Sequence, residues 1–267
     1  MFLVCGDSME DIYIKGETSR ISPEAPVPIV KVIDSVKKPG GAANVFLNVQ
    51  ALAMPVRGLY SPSSPKDPVQ KLRILSRGQQ VVRIDYDRPQ DPIKPSSFKP
   101  EGWIIFSDYG KGALKRVAEL ISRAPKSTIF VDPKSADYEC YRGASYIKPN
   151  KDEMRDLVGG WISEAQLDTK AWAVVTKFRL KGLLLTRGEE GMALYTPTTK
   201  HSVSASKREI FDVCGAGDTA IATFAVAIAR GLTPKKALFY ANKAAGITCQ
   251  HLGSYSPSSP EVFDGCD

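Results

Sequence analysis

The chain has 267 residues, 43% of them apolar and 24% charged, with a net charge of +7. That length suits one large domain or two small ones with a core that needs no metal or disulfide support, and the composition excludes wholesale disorder. The Lys and Arg residues are scattered, with no basic run and no interleaved aromatics, so the excess charge points to small phosphorylated anions rather than to nucleic acid.

In chain order, Phe2-Leu3-Val4 reads as a buried strand ending at Gly6-Asp7. This start has no basic segment and meets an acid at position 7, so no signal peptide is expected. Ile12 to Val36, with its prolines and the alternation Val30-Lys31-Val32-Ile33, reads as extended chain outside the main sheet. Ala42 to Ala53 has helical apolar spacing and is stopped by Pro55. Gln70 to Asp87 alternates again and joins the extended class. Ile104-Ile105-Phe106, Thr128-Ile129-Phe130-Val131 and Leu183-Leu184-Leu185 read as further buried strands, each ending in polar residues. Helices are expected over Leu114 to Ala124, Thr219 to Ala229 and Lys235 to Cys249, the second nearly all apolar and hence central. The run 219–229 is well short of the roughly 20 apolar residues that cross a bilayer. Such alternation predicts a mainly parallel α/β sheet whose ligands sit beyond the carboxyl ends of the strands. The string Tyr-Ser-Pro-Ser-Ser-Pro occurs at 60–65 and at 255–260 and reads as two loops.

The most informative stretch is Asp212-Val213-Cys214-Gly215-Ala216-Gly217-Asp218-Thr219. Its glycines let backbone N–H groups approach an anion at the positive end of the following helix. Asp218 at that helix start would repel a phosphate, but it suits a general base that takes the proton of an attacking hydroxyl. The plain alternative is an acidic helix cap. Gly40-Gly41-Ala42-Ala43-Asn44 is a second small-residue turn opening a helix. Asp7 and Asp11 put carboxylates at a strand end. Asn150 and Glu153 lie one helical turn apart, a spacing that suits Mg²⁺ held through water and equally a capping box. The five cysteines (5, 140, 214, 249, 266) are far apart with no paired spacing, so neither a zinc site nor a disulfide framework is expected, and a reducing cytoplasm is the natural setting. His201 and His251 are isolated.

Four motifs occur together and in order: Gly-Gly-Ala-Ala-Asn at 40–44, Pro-Asn-x-x-Glu at 149–153, Thr-Arg-Gly-x-x-Gly at 186–191 and Gly-Ala-Gly-Asp-Thr at 215–219. The chain thereby resembles the ribokinase-like (PfkB) carbohydrate kinases. The stretches 18–28, 71–77, 107–114 and 132–134 are similar to the kinase domain of bacterial heptose 7-phosphate kinases of lipopolysaccharide-core synthesis. The resemblance implies a three-layer α/β/α domain over 1–267, with a small β lid from segments 12–36 and 70–87. It implies ATP and Mg²⁺ as cofactors and leaves a monovalent cation open. It implies phosphorylation of the anomeric O1 of D-glycero-β-D-manno-heptose 7-phosphate. Asp218 would be the base and the amides of Gly215, Ala216 and Gly217 the anion hole. Asp7, Asp11, Gly40, Gly41 and Asn44 would hold sugar hydroxyls. Lys134, after Asp132-Pro133, suits either contact with a substrate phosphate or a surface lysine after a strand-end turn. Asn150, Glu153, Thr186, Arg187, Gly188 and Asn242 would serve ATP, with Glu153 near the metal.

Two features depart from the family. Cys214 stands where Thr is usual, a close steric match but a weaker donor. Between Tyr60 and Pro68 a strand and helix are missing, which would shorten the sheet and the support under the lid. The alternatives are therefore another sugar or nucleoside kinase of the same class, or a shortened homologue that binds a sugar phosphate without catalysis. Arg73, Arg77 and Arg83 on the lid suit either a phosphate clamp or a solvated face. No nucleic-acid or membrane partner is expected, nor the second, adenylyltransferase domain of fused relatives. The exposed edges of a lid sheet predict a homodimer through the lid.

Overall fold

The computed structural model describes residues 1–60, 68–134, 137–205 and 210–264. The interior of the shortened stretch at 60–68 therefore lies outside the described residues. The chain runs β1 (Phe2–Gly6), β2 (Ser8–Ile21), β3 (Pro28–Gly41), α1 (Ala42–Ala51), β4 (Val56–Tyr60), β5 (Gln70–Ser76), β6 (Gln79–Tyr86) and β7 (Trp103–Ser107). It continues with α2 (Val117–Ser122), β8 (Thr128–Asp132), β9 (Tyr146–Ile147), α3 (Lys151–Val158), α4 (Glu164–Phe178), β10 (Gly182–Thr186), β11 (Met192–Tyr195) and β12 (Lys200–Val203). Three helices close it: α5 (Ala216–Ala229), α6 (Pro234–Thr248) and α7 (Ser259–Phe263).

Among the described residues the main sheet has the order β12-β11-β10-β9-β8-β7-β1-β4. From β10 to β4 the pairings are parallel, while β11 and β12 add antiparallel at one end. The central strands are apolar on both faces because helices cover both. Leu3 and Cys5 of β1 join one core with residues of α2, α3 and α4, while Phe2 and Val4 join the other with α1, α5 and α6. Helix α5 is apolar almost all round because it lies between the sheet, α1 and α6. The fold is thus the three-layer α/β/α arrangement expected from the sequence.

A second sheet, ordered β3-β2-β5-β6, rises where β1 ends, since β2 starts two residues later. Strand β3 returns through Gly40-Gly41 directly into α1, so one turn belongs to both layers. Every residue of β6 is exposed.

Helix boundaries differ modestly from the sequence reading. The helix expected from Leu114 begins only at Val117, because residues 112–116 form turns. The one expected from Thr219 begins three residues earlier, at Ala216. Helices α3, α4 and α7 and the short strands β4, β9, β11 and β12 were not read from the sequence. β9 has only two residues, too short for any periodicity to register.

Candidate active site

The turn before α5 is the centre of the site. Gly215 caps the helix with left-handed backbone, φ 78°. A Cβ there would also lie 2.8 Å from Asn44 Nδ2, so glycine is required twice over. Asp218 follows in the first turn of α5 and is buried. Asn44 Nδ2 donates to its Oδ2 at 2.8 Å, and the Tyr109 hydroxyl donates to its Oδ1 at 2.8 Å. Asn44 is itself held in place: Asn48 Nδ2 donates to its carbonyl and to its Oδ1. Burial pushes the Asp218 carboxyl up to about 6, against the pull of Asn44, Tyr109 and the Lys148 charge, and Asp11 adds to the rise. A carboxylate tuned in this way ionises near neutrality and is suited to accept a proton. Burial and the neighbouring Asp218 hold the Tyr109 phenol well above its usual range, so it stays a neutral donor.

On the lid side, Asp11 Oδ1 pairs with Arg73 Nη1 at 2.5 Å, and both side chains are largely buried. Gly40 leaves room for this pair, since a Cβ there would collide with Asp11 Oδ2. The guanidinium of Arg73 also lies 5.3 Å from the Tyr13 ring centre. Arg73 is therefore neither free nor solvated.

On the other side of the turn, a cavity of about 720 Å³ opens. Its wall includes Lys148, Asn150, Thr186, Arg187, Gly188, Ala216, Gly217 and Asn242. Residues that are far apart in sequence thus meet at the carboxyl ends of β9 and β10 and the start of α5. Lys148 is buried and its Nζ is 2.9 Å from Asp132 Oδ1. Burial works against its charge, but Asp132, Glu153 and Asp218 together hold it above the ordinary lysine range. Burial in turn pushes Asp132 up to about 7, with Lys148 opposing.

Several of the residues the sequence singles out also have partners within the chain. Asp7 is fully buried, and its carboxylate accepts the backbone N–H groups of Tyr109, Lys111 and Ala113 at 2.8–3.0 Å. Both of its oxygens accept these bonds, so it pins the 109–113 loop. Asn150 and Glu153 form a capping box on α3: the Asn150 side chain accepts from Asp152 N and Glu153 N, and Glu153 Oε2 accepts from Asn150 N. Glu153 Oε1 lies 4.0 Å from Lys134 Nζ, whose side chain is otherwise mostly exposed. Arg187, on the cavity wall, pairs with Glu164 and Glu190. Asn242 Nδ2 donates to Ser204 O at 2.9 Å. Among the described residues no group of three or more His, Cys, Asp or Glu could hold a metal.

Comparison with known proteins decides the family. The model of the pfkB family of carbohydrate kinases matches residues 101–261. The chain belongs to that family. The family is one of kinases that act on carbohydrates. The chain is 42% identical over 295 residues to the bifunctional protein HldE of Pseudomonas fluorescens (strain SBW25), covering 97% of this chain and 62% of that protein. The HldE of Pseudomonas syringae pv. syringae (strain B728a) is 43% identical over 294 residues, with the same coverage. The chain thus spans 62% of the length of the curated relatives it matches. The matched span is longer than the 267-residue chain, so these relatives carry internal residues with no counterpart here. Among solved structures, ribokinase from Thermotoga maritima superposes with a TM-score of 0.77 at 20% identity, covering 98% of this chain and 97% of that one. Arabidopsis thaliana ribokinase in complex with ribose and ATP gives 0.78 at 17% identity, covering 98% and 97%. Phosphofructokinase-2 from Escherichia coli in complex with potassium gives 0.78 at 16% identity, covering 98% and 96%. These likenesses establish the ribokinase-like fold. No helix among the described residues is long and apolar enough to cross a membrane.

Sequence reasoning missed Tyr109, Asp132 and Lys148. Tyr109 and Asp132 lie within the stretches 107–114 and 132–134, and Lys148 directly precedes the motif at 149–153, but the only local signal was a polar residue at a strand end.

Proposed function

We propose that the chain is an ATP-dependent sugar kinase that transfers a phosphoryl group to the anomeric O1 of a heptose 7-phosphate, in one domain with the second sheet as its lid. The observation that carries this reading is the turn at 215–218. A buried carboxylate that ionises near pH 6 lies beside a glycine-rich helix N-terminus, at the end of a cavity large enough for a nucleotide. In this reading ATP lies along Asn150, Thr186, Gly188 and Asn242, with its terminal phosphate at the 215–217 amides. The sugar lies between Asp218 and the Asp11–Arg73 pair. Its hydroxyl attacks the terminal phosphorus in line and passes its proton to Asp218. The amides take up the charge that develops on the phosphoryl oxygens. Glu153 would be an outer contact for Mg²⁺ bound to the nucleotide, an ion that would neutralise the phosphates.

Similarity to the bifunctional HldE proteins supports the heptose substrate. The basic net charge suits two phosphorylated ligands. Asp7 is reassigned here from sugar binding to support of the 109–113 loop. A homodimer through the lid and a cytoplasmic location complete the proposal. The dimer is supported by exposed apolar residues on the second sheet, among them Val32, Ile33, Val82, Ile84 and Tyr86. A coupled ADP-release assay across a panel of sugars and sugar phosphates tests the reading. Turnover with heptose 7-phosphate, lost in Asp218→Asn, is expected. Preference for an unphosphorylated pentose or a nucleoside would replace the substrate. Sugar-phosphate binding without ADP formation would replace catalysis with binding.

A further inference from the structure

We infer that Lys148 is a catalytic residue whose ammonium meets the transferring phosphoryl group at Gly217, with Asp132 as its positioning partner. The inference rests on the kinase reading of the cavity and adds a residue to it.

Two geometric facts carry it. First, Lys148 is buried, yet it belongs to the wall of the nucleotide-sized cavity. Its Nζ reaches the floor of the anion turn, where a Cβ on Gly217 would be 3.4 Å away. Asp132 takes one of its three N–H groups at 2.9 Å, which fixes the ammonium and leaves it donors to spend. Second, the lysine shares this place with the N-terminus of α5, the positive end of a helix dipole. Asp132, Glu153 and Asp218 keep its charge in place. The ammonium and the helix end meet on one stretch of cavity wall at Gly217, a pair of positive elements that suits an incoming phosphate. A purely structural buried pair has no reason to sit at the mouth of an anion turn, since a well-packed apolar pair serves as well.

Lysine also fits the chemistry. A phosphoryl group in transfer spreads charge over its equatorial oxygens, and a compact ammonium follows that charge as a point donor. Side-chain donors placed for the transition state are worth roughly 100- to 1,000-fold in rate.

The test compares the wild type with Lys148→Met, Lys148→Arg and the double variant Lys148→Met with Asp132→Asn. The double variant leaves no unpaired buried carboxylate and keeps the proposal testable if the single one unfolds. Calorimetry with ADP and with a non-hydrolysable ATP analogue reads the contact directly and requires no sugar. ADP affinity is expected to stay within about threefold, while affinity for the analogue falls about tenfold or more. kcat should fall roughly 100-fold with the sugar KM little changed, and Lys148→Arg should recover part of the analogue affinity. Equal weakening of ADP and analogue, or no weakening of either, would overturn the inference. A wild type that binds neither nucleotide would overturn the kinase reading itself, and this inference with it.

Discussion

Asp218→Asn separates the chemistry of the site from its stability, and the two should move in opposite directions. In the folded chain the Asp218 carboxyl is pushed from 3.8 up to about 6, chiefly by burial. At about 1.4 kcal/mol per unit, ionising it costs about 3 kcal/mol more in the native state than in the unfolded one. The native state therefore holds this proton more tightly than the unfolded chain. Its stabilising contribution is complete below 3.8 and is lost as pH rises through about 6. Asparagine mimics the protonated form at every pH. Its amide oxygen can still accept from Asn44 Nδ2, and its NH₂ can donate to the Tyr109 oxygen, so the local geometry survives. The variant should gain up to about 3 kcal/mol over wild type at pH 8 and almost nothing at pH 4. Turnover should drop on the order of 1,000-fold, the scale of a lost general base. Urea denaturation at the two pH values and coupled ADP release measure both arms. Near wild-type turnover would refute the base. A stability difference that is the same at both pH values would refute the buried charge.

Other substitutions probe the groups around it. Tyr109→Phe removes a donor that lowers the Asp218 pKa, so the acid limb of the pH–rate profile should move to higher pH by about half to one unit. Asp7→Ala leaves the buried N–H groups of Tyr109, Lys111 and Ala113 without their acceptor; at about 1–3 kcal/mol each, it should cost several kcal/mol in denaturation and expose the 109–113 loop to protease. Gly215→Ala combines left-handed strain of about 1–2 kcal/mol with displacement of Asn44, so activity should fall at least tenfold while the circular dichroism spectrum is kept. Ile84→Lys on the exposed face of β6 should leave only monomer in sedimentation experiments, and a wild type that is itself monomeric would remove the lid-mediated dimer.

Much of this protein was legible residue by residue. The central strands declared themselves because a sheet covered on both faces needs apolar residues at every position, as in Phe2-Leu3-Val4 and Ile104-Ile105-Phe106. The long helices of the sheet's second face followed from apolar spacing and, for α1, a nearby proline stop. The glycine-rich turn and its acid were visible because an anion site at a helix N-terminus is built from neighbouring residues. Those are local properties, and the chain states them locally. What the tertiary structure decided is which polar group answers which. Asp7 looks from the sequence like a ligand-facing carboxylate, yet its partners are three backbone N–H groups far along the chain. Arg73 spends its charge on Asp11, and Arg187 on Glu164 and Glu190. Asn44 and Tyr109 meet on Asp218 from separate elements, and Lys148 reaches Asp132 across adjoining strand ends. A buried polar atom must find a partner, but the penalty for lacking one acts through space and not along the sequence. Periodicity and spacing therefore determined the layers and the anion turn, while burial and long-range hydrogen bonding decided which side chains remain available for chemistry.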